Sequence, residues 1–199
     1  MIKYPISTIL YLAKLSIKDK IHDTLKLHNN IDAYITIEVK DKNGNIIKRH
    51  KQRSHSFVSN FLSGLSYVFF GSCTSCTWSG ALAYATGLQI GTGTTPPTPN
   101  DTALKDPIAN GSGPGQMNYP SAPTSTSVVV NGNTSSFTIS STIANNSGAS
   151  ITVSEVGLYA KSGGEQVITG LQAHDLLSSP ITVPNLSEIL ITYTISVTT

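Results

Sequence analysis

Few residues of this chain have the types and spacing for chemistry, and most of them lack the partners that chemistry requires. Cys73 and Cys76, the only two cysteines, form Cys-Thr-Ser-Cys. A zinc site needs further ligands, and His22, His28, His50, His55 and His174 show no Cys/His spacing that supplies them. A thioredoxin-like redox pair would open a helix in a βαβ unit, a pattern absent here. A small-loop disulfide or two free thiols accounts better for Cys73 and Cys76, a structural role. Gly91-Thr92-Gly93-Thr94-Thr95-Pro96-Pro97 has the glycines of a phosphate loop but not its lysine. Prolines also stand where a helix should begin, so the run reads as a rigid connection.

His174 and Asp175 are neighbours, but adjacent strand residues point to opposite faces and cannot act as a pair. The Gly-x-Ser-x-Gly elbow of serine hydrolases is absent. The six carboxylates beyond residue 53 form no recognisable acid/base pair. The expectation is therefore a protein without catalytic, cofactor-binding or metal residues, and without a small-molecule substrate. Glu155 stands out because it lies in Thr152-Val153-Ser154-Glu155-Val156-Gly157-Leu158-Tyr159, an otherwise apolar strand. There it either reaches solvent at an edge or has a structural role with a Lys, an Arg or a cluster of backbone N–H groups. Asn-x-Ser/Thr sequons occur at Asn100, Asn110, Asn133, Asn145 and Asn185, and are glycan sites only if the chain meets a glycosylation system.

The elements that would position these residues are mostly strands. The chain's 199 residues suffice for one sizeable core, with or without a smaller appendage, and 39% hydrophobic content argues against global disorder. Charged residues make up only 12%, replaced by Ser, Thr, Asn and Gly. Such a neutral, hydroxyl-rich surface suits extracellular β proteins and assembled shells, where contacts desolvate few charges. Charge is also unevenly placed. Residues 1–53 hold eleven cations against five acids, +6, and the remainder two against six, −4. A basic N-terminal segment of this kind suits contact with an acidic partner, a membrane surface or nucleic acid.

No run approaches the length of a membrane-spanning helix. Met1-Ile2-Lys3 and the apolar stretch after it have a signal-peptide flavour but no small-residue cleavage pattern, so the segment is read as retained. Residues 6–28 have the spacing of an amphipathic helix. Residues 31–40 alternate, with Ala33, Ile35, Ile37 and Val39 on one face, and Asn43-Gly44 turns them into a hairpin with residues 46–50. Ser56 is expected to cap a short helix over 57–65, followed by a buried apolar segment over 67–70.

From Gly71 onward helical periodicity disappears. Strands are expected within 82–90, at 128–130, over 136–143 after an Asn131-Gly132 turn, over 151–160, over 166–173 and over 188–198. The 91–123 region between them is too long for an ordinary connection. The expected architecture is mainly β: an antiparallel, jelly-roll-like β-sandwich over 71–199, preceded by a helix, a β-hairpin and a short helix over 1–70.

Two segments together carry a family resemblance. Ile90-Gly91-Thr92-Gly93-Thr94-Thr95-Pro96-Pro97-Thr98-Pro99-Asn100-Asp101-Thr102-Ala103-Leu104 resembles a Gly-x-Gly-Thr-Thr-x-Pro…Asp-Thr-x-Leu signature of tail, fibre, turret and other virion structural proteins of bacterial and archaeal viruses. Such proteins often carry a later Glu-(Val/Ile)-Gly-Leu-(Tyr/Phe) segment, matched by Glu155 to Tyr159, and commonly end in a strand like residues 189–197. The resemblance spans about residues 88–199. It implies a virion-located β-sandwich module without catalytic activity, whose partners are copies of itself and other virion proteins. In a symmetric ring one surface meets a different surface of the next copy, and the basic segment with Lys48, Arg49, Lys51 and Arg53 could meet an acidic β face in this way. Two other functions compete: a cell-surface filament or adhesin subunit assembled by strand exchange, and a glycan-binding module. The latter calls for an aromatic platform, yet Trp78 is the only Trp.

Overall fold

A computed structural model of the chain describes residues 30–54, 56–70, 87–120, 122–162 and 168–199. The helix expected over residues 6–28 and the pair Cys73 and Cys76 lie outside the described residues. The protein is mainly β, with two antiparallel sheets. Nine strands are described: β1 (Asn30–Lys40), β2 (Ile46–Ser54), β3 (Gly87–Gly91), β4 (Thr124–Ser125), β5 (Val129–Asn131), β6 (Thr134–Asn145), β7 (Ile151–Ser162), β8 (Ile168–Val183) and β9 (Ser187–Thr198). One helix, α1 (Ser59–Phe70), precedes β3.

The larger sheet runs β2-β1-β9-β6-β4, with β5 also paired to β6. The hairpin of β1 and β2 turns at Gly44, which has φ +82° and no atom near a would-be Cβ. Asp41 fixes that turn by accepting from the Asn43 and Asn45 N–H groups at 2.8 and 2.9 Å. β1 then pairs along its whole length with β9, from Asn30↔Thr198 to Lys40↔Glu188. The first hairpin therefore shares a sheet with the last strand, across the expected boundary at residue 70.

Alternation places Ala33, Ile35, Ile37 and Val39 of β1 and Ile189, Ile191 and Tyr193 of β9 in the core. Leu88, Ile90, Val153, Val156, Leu158, Ala173, Leu177 and Ile181 of the smaller sheet, ordered β3-β7-β8, join them in one cluster. Fully burying each such side chain contributes about 1.5–3 kcal/mol before entropy is counted, so this cluster is the main source of stability. The other face of the small sheet carries a second, minor core of Val58, Leu104, Tyr159 and Leu171.

Two local expectations change. The helix begins at Ser59 rather than after Ser56 and takes in residues 67–70. The Ser56 carbonyl accepts the His174 N–H at 3.0 Å, Phe57 bridges Ala173, and Val58 N–H donates to Gln172 O at 2.9 Å. Residues 56–58 are thus held extended along β8, and the helix starts only when that contact ends. The strand expected over 166–173 continues to Val183. Its register with β7 jumps from Leu176 to Ile181 opposite Ser154, leaving residues 177–180 to bulge toward β2. Gln52 spans the gap, donating to Leu176 O at 2.8 Å and accepting from Ser178 N–H at 2.9 Å.

Candidate functional site

The 91–107 connection folds over the outer face of the small sheet, and Glu155 of β7 fastens it there. Gly157 pairs with His174 and Glu155 with Leu176 in the β7–β8 register, so both acidic and imidazole side chains leave on the outer face. Glu155 is fully buried and accepts from Gly93 N–H at 3.2 Å, Lys105 N–H at 3.1 Å and Asp106 N–H at 2.8 Å. It also meets His174 Nε2 at 2.8 Å. The glycine-rich run is therefore a backbone cradle for an anion, and the anion is the chain's own carboxylate.

His174 is fully buried, and its Nδ1 lies 2.7 Å from Asp101 Oδ2. Asp101 sits in the same connection and accepts from Thr98 N–H at 3.0 Å, Thr98 Oγ1 at 2.7 Å and Lys105 Nζ at 2.7 Å. Burial by itself would depress the His174 pKa, but its bonds to Glu155 and Asp101 outweigh burial and raise it. For Glu155, burial pushes upward and is overcome by His174 and the Asp106 and Lys105 N–H groups, so its pKa falls below the ordinary value. Asp101 is likewise held far below the carboxylate range, with Lys105, Thr98 and His174 overcoming its burial. Two carboxylates held ionised on either side of the ring thus favour the protonated imidazole, which can donate from both nitrogens.

Tyr159 completes the clasp. Its hydroxyl accepts the Leu104 N–H at 3.0 Å, and burial pushes its pKa up to about 12. A Cβ at Gly157 would lie 2.9 Å from Leu104 Cδ2. A Cβ at Gly91 would lie only 2.2 Å from Glu155 Oε1 and 2.6 Å from Asp106 O. These glycines are required by close approach, not by a turn. Gly91→Ala should therefore cost about 1–3 kcal/mol through overpacking, read as a lowered midpoint in urea with an unchanged slope.

Asp175 points the other way, as alternation requires, and belongs to a separate buried group between the sheets. Its Oδ2 accepts from Ser54 Oγ at 2.7 Å and from Tyr193 OH at 2.9 Å, and Ser54 and Tyr193 also touch. Burial, with the Asp175 charge beside it, raises the Tyr193 pKa.

Chemically, the clasp is closed. Both His174 nitrogens lie within hydrogen-bond distance of carboxylates and the ring is fully buried, so neither nitrogen is open to solvent in this structure. A cavity of about 340 Å³ opens between the sheets, lined by Phe61, Phe137, Leu158 and Ile195 among others, and among the described residues no titratable pair faces it. Among the described residues no group of His, Cys, Asp or Glu is arranged to hold a metal.

Of the residues expected to matter, Glu155 occupies the centre of the site and uses backbone N–H groups, with a histidine added. His174 and Asp101 were not foreseen as its partners. Lys48, Arg49, Lys51 and Arg53 lie elsewhere, on β2. Arg49 pairs with Glu38 at 2.9 Å, Arg53 with Asp32, Lys51 lies 5.2 Å from the Tyr34 ring centre, and Lys48 donates to Pro180 O at 3.3 Å. The sequon at Asn145 is closed, because that side chain is buried and donates to Ala149 O and Val183 O. Compared with protein-family models, curated proteins and solved structures, the chain matches none.

Proposed function

We propose that this chain is a non-enzymatic structural protein of a virus particle. It forms β-sandwich, jelly-roll-like subunits that assemble as a homo-oligomer in a tail, nozzle, turret or vertex complex. The observation that carries this reading is the clasp itself. The two sequence segments on which the resemblance rests, residues 90–104 and 155–159, meet in a single buried network that fixes a long connection to a sheet. Such a network gives shape rather than reactivity, which suits a module that must present a fixed surface to its neighbours. A surface poor in charge lowers the desolvation cost of those contacts.

Other virion proteins and further copies of the chain are the expected partners, with no cofactor or small-molecule substrate. The basic N-terminal segment remains available for a membrane surface or nucleic acid, since the β2 cations are largely exposed despite their pairing. The test is native mass and intact mass of the purified full-length protein. A defined oligomer with its N-terminus unprocessed is expected. Open-ended polymers with a processed N-terminus would point instead to a surface filament, and a monomer at every concentration would reject the assembly reading.

A further inference from the structure

The two edges of the larger sheet are protected very differently. At one end β2 carries Lys48, Arg49, Lys51 and Arg53, and the β8 bulge leans on it through Gln52 and Lys48. Charges and covering segments of this kind keep an edge from pairing with another chain. At the other end, β5 pairs with β6 through Val129↔Ser136, Val130↔Ser135 and Asn131↔Thr134. Among the described residues nothing pairs with its outer side.

That second edge is short, with β4 and β5 only two and three residues long, but it carries neither the charges nor the covering segment that protect β2. Val128, Val129 and Val130 are 65%, 59% and 69% exposed. They are strand-forming residues leading into the Asn131-Gly132 turn, where Gly132 has φ +57°. No residue from Pro107 to Ser154 carries a charge. The whole exposed stretch 124–133 therefore offers backbone donors and acceptors beside apolar and hydroxyl side chains.

We propose that the β5 edge is where two copies of this chain join, antiparallel about a twofold axis, merging their larger sheets. This rests on the assembly reading above and names its surface. An antiparallel pair of identical strands is self-complementary, because each donor row meets the matching acceptor row. Charge selects this edge over β2. Pairing β2 with its copy would set four cations against four cations, whereas the β5 edge meets its copy without any like-charge contact. The remaining exposed valine surface is buried in the same step.

The test is sedimentation velocity of the full-length protein and V129K over a range of concentrations, with I47K on β2 as the control edge. The wild type and I47K should show a species of twice the unit mass. V129K should weaken that step at least about tenfold while melting like the wild type. If V129K melts early, V128K carries the same charge to the same edge just outside the β5–β6 pairs and should give the same loss. Unchanged association in both valine variants would overturn this contact while leaving assembly intact. A wild type that never associates would overturn assembly and contact together.

Discussion

Glu155→Ala lowers the stability of the fold by about 3–5 kcal/mol, the range for removing one partner of a buried ion pair. Three backbone N–H groups and the His174 ring lose their acceptor at once, and Gly93 and His174 are buried away from water. For a chain of this size each kcal/mol moves the melting temperature by about 2–4 °C, so a drop on the order of 10 °C is expected. Amide exchange should localise the damage. Gly93, Lys105 and Asp106 lose protection first, while the β1–β9 amides keep theirs until global unfolding. Glu155→Gln should recover little, because its NH₂ group turns a donor toward donors. A melting temperature within 2 °C of wild type, about the shift of 1 kcal/mol or less, would mean that Glu155 does not hold the connection.

The second large effect is on His174. At neutral pH, His174→Ala leaves Asp101 and Glu155 buried without the cation between them and should also cost about 3–5 kcal/mol. Its pH signature separates it from an ordinary cavity. The His174 pKa is raised on folding, so its contribution is complete below the ordinary value of 6.5 and is lost as pH rises through the folded value. Asp101 and Glu155 are depressed, so theirs is complete above the ordinary values of 3.8 and 4.5 and is lost as pH falls toward the folded values. Stability from the clasp should therefore peak between about pH 4.5 and 6.5. His174→Ala should remove the decline above pH 6.5. Retention of that alkaline decline in the variant would place its origin elsewhere.

Legibility from sequence followed how local each signal was. The β1–β2 hairpin, the Asn131-Gly132 turn and the alternating β9 depend on residues within a few positions of each other, and all three stand where the pattern puts them. β8 runs past the expected end at Ala173 through His174, Asp175 and Pro180 to Val183. His174 and Asp175 are satisfied on opposite faces, and Pro180 lies in a bulge of an edge strand, where a missing N–H is tolerated. The later start of α1 has a non-local cause, the backbone bonds of residues 56–58 to β8.

The site was half visible. A carboxylate in an apolar strand announces its need for partners, and backbone N–H groups were among the candidates. Nothing in the order of residues says that His174 lies across from it, because that depends on a register set by bulges on both strands. Asp101 reaches the same ring only through the path of the 91–107 connection, which has almost no periodicity to read.

The most direct test of the central claim, that the two motif segments form a closed structural clasp and not a reactive centre, is the protonation state of His174. Nitrogen-15 NMR of the imidazole at pH 6.5 should show mostly the doubly protonated ring, with both N–H protons exchanging slowly with water. A neutral imidazole whose free nitrogen reacts readily with an acylating reagent would contradict the account and reopen a catalytic reading.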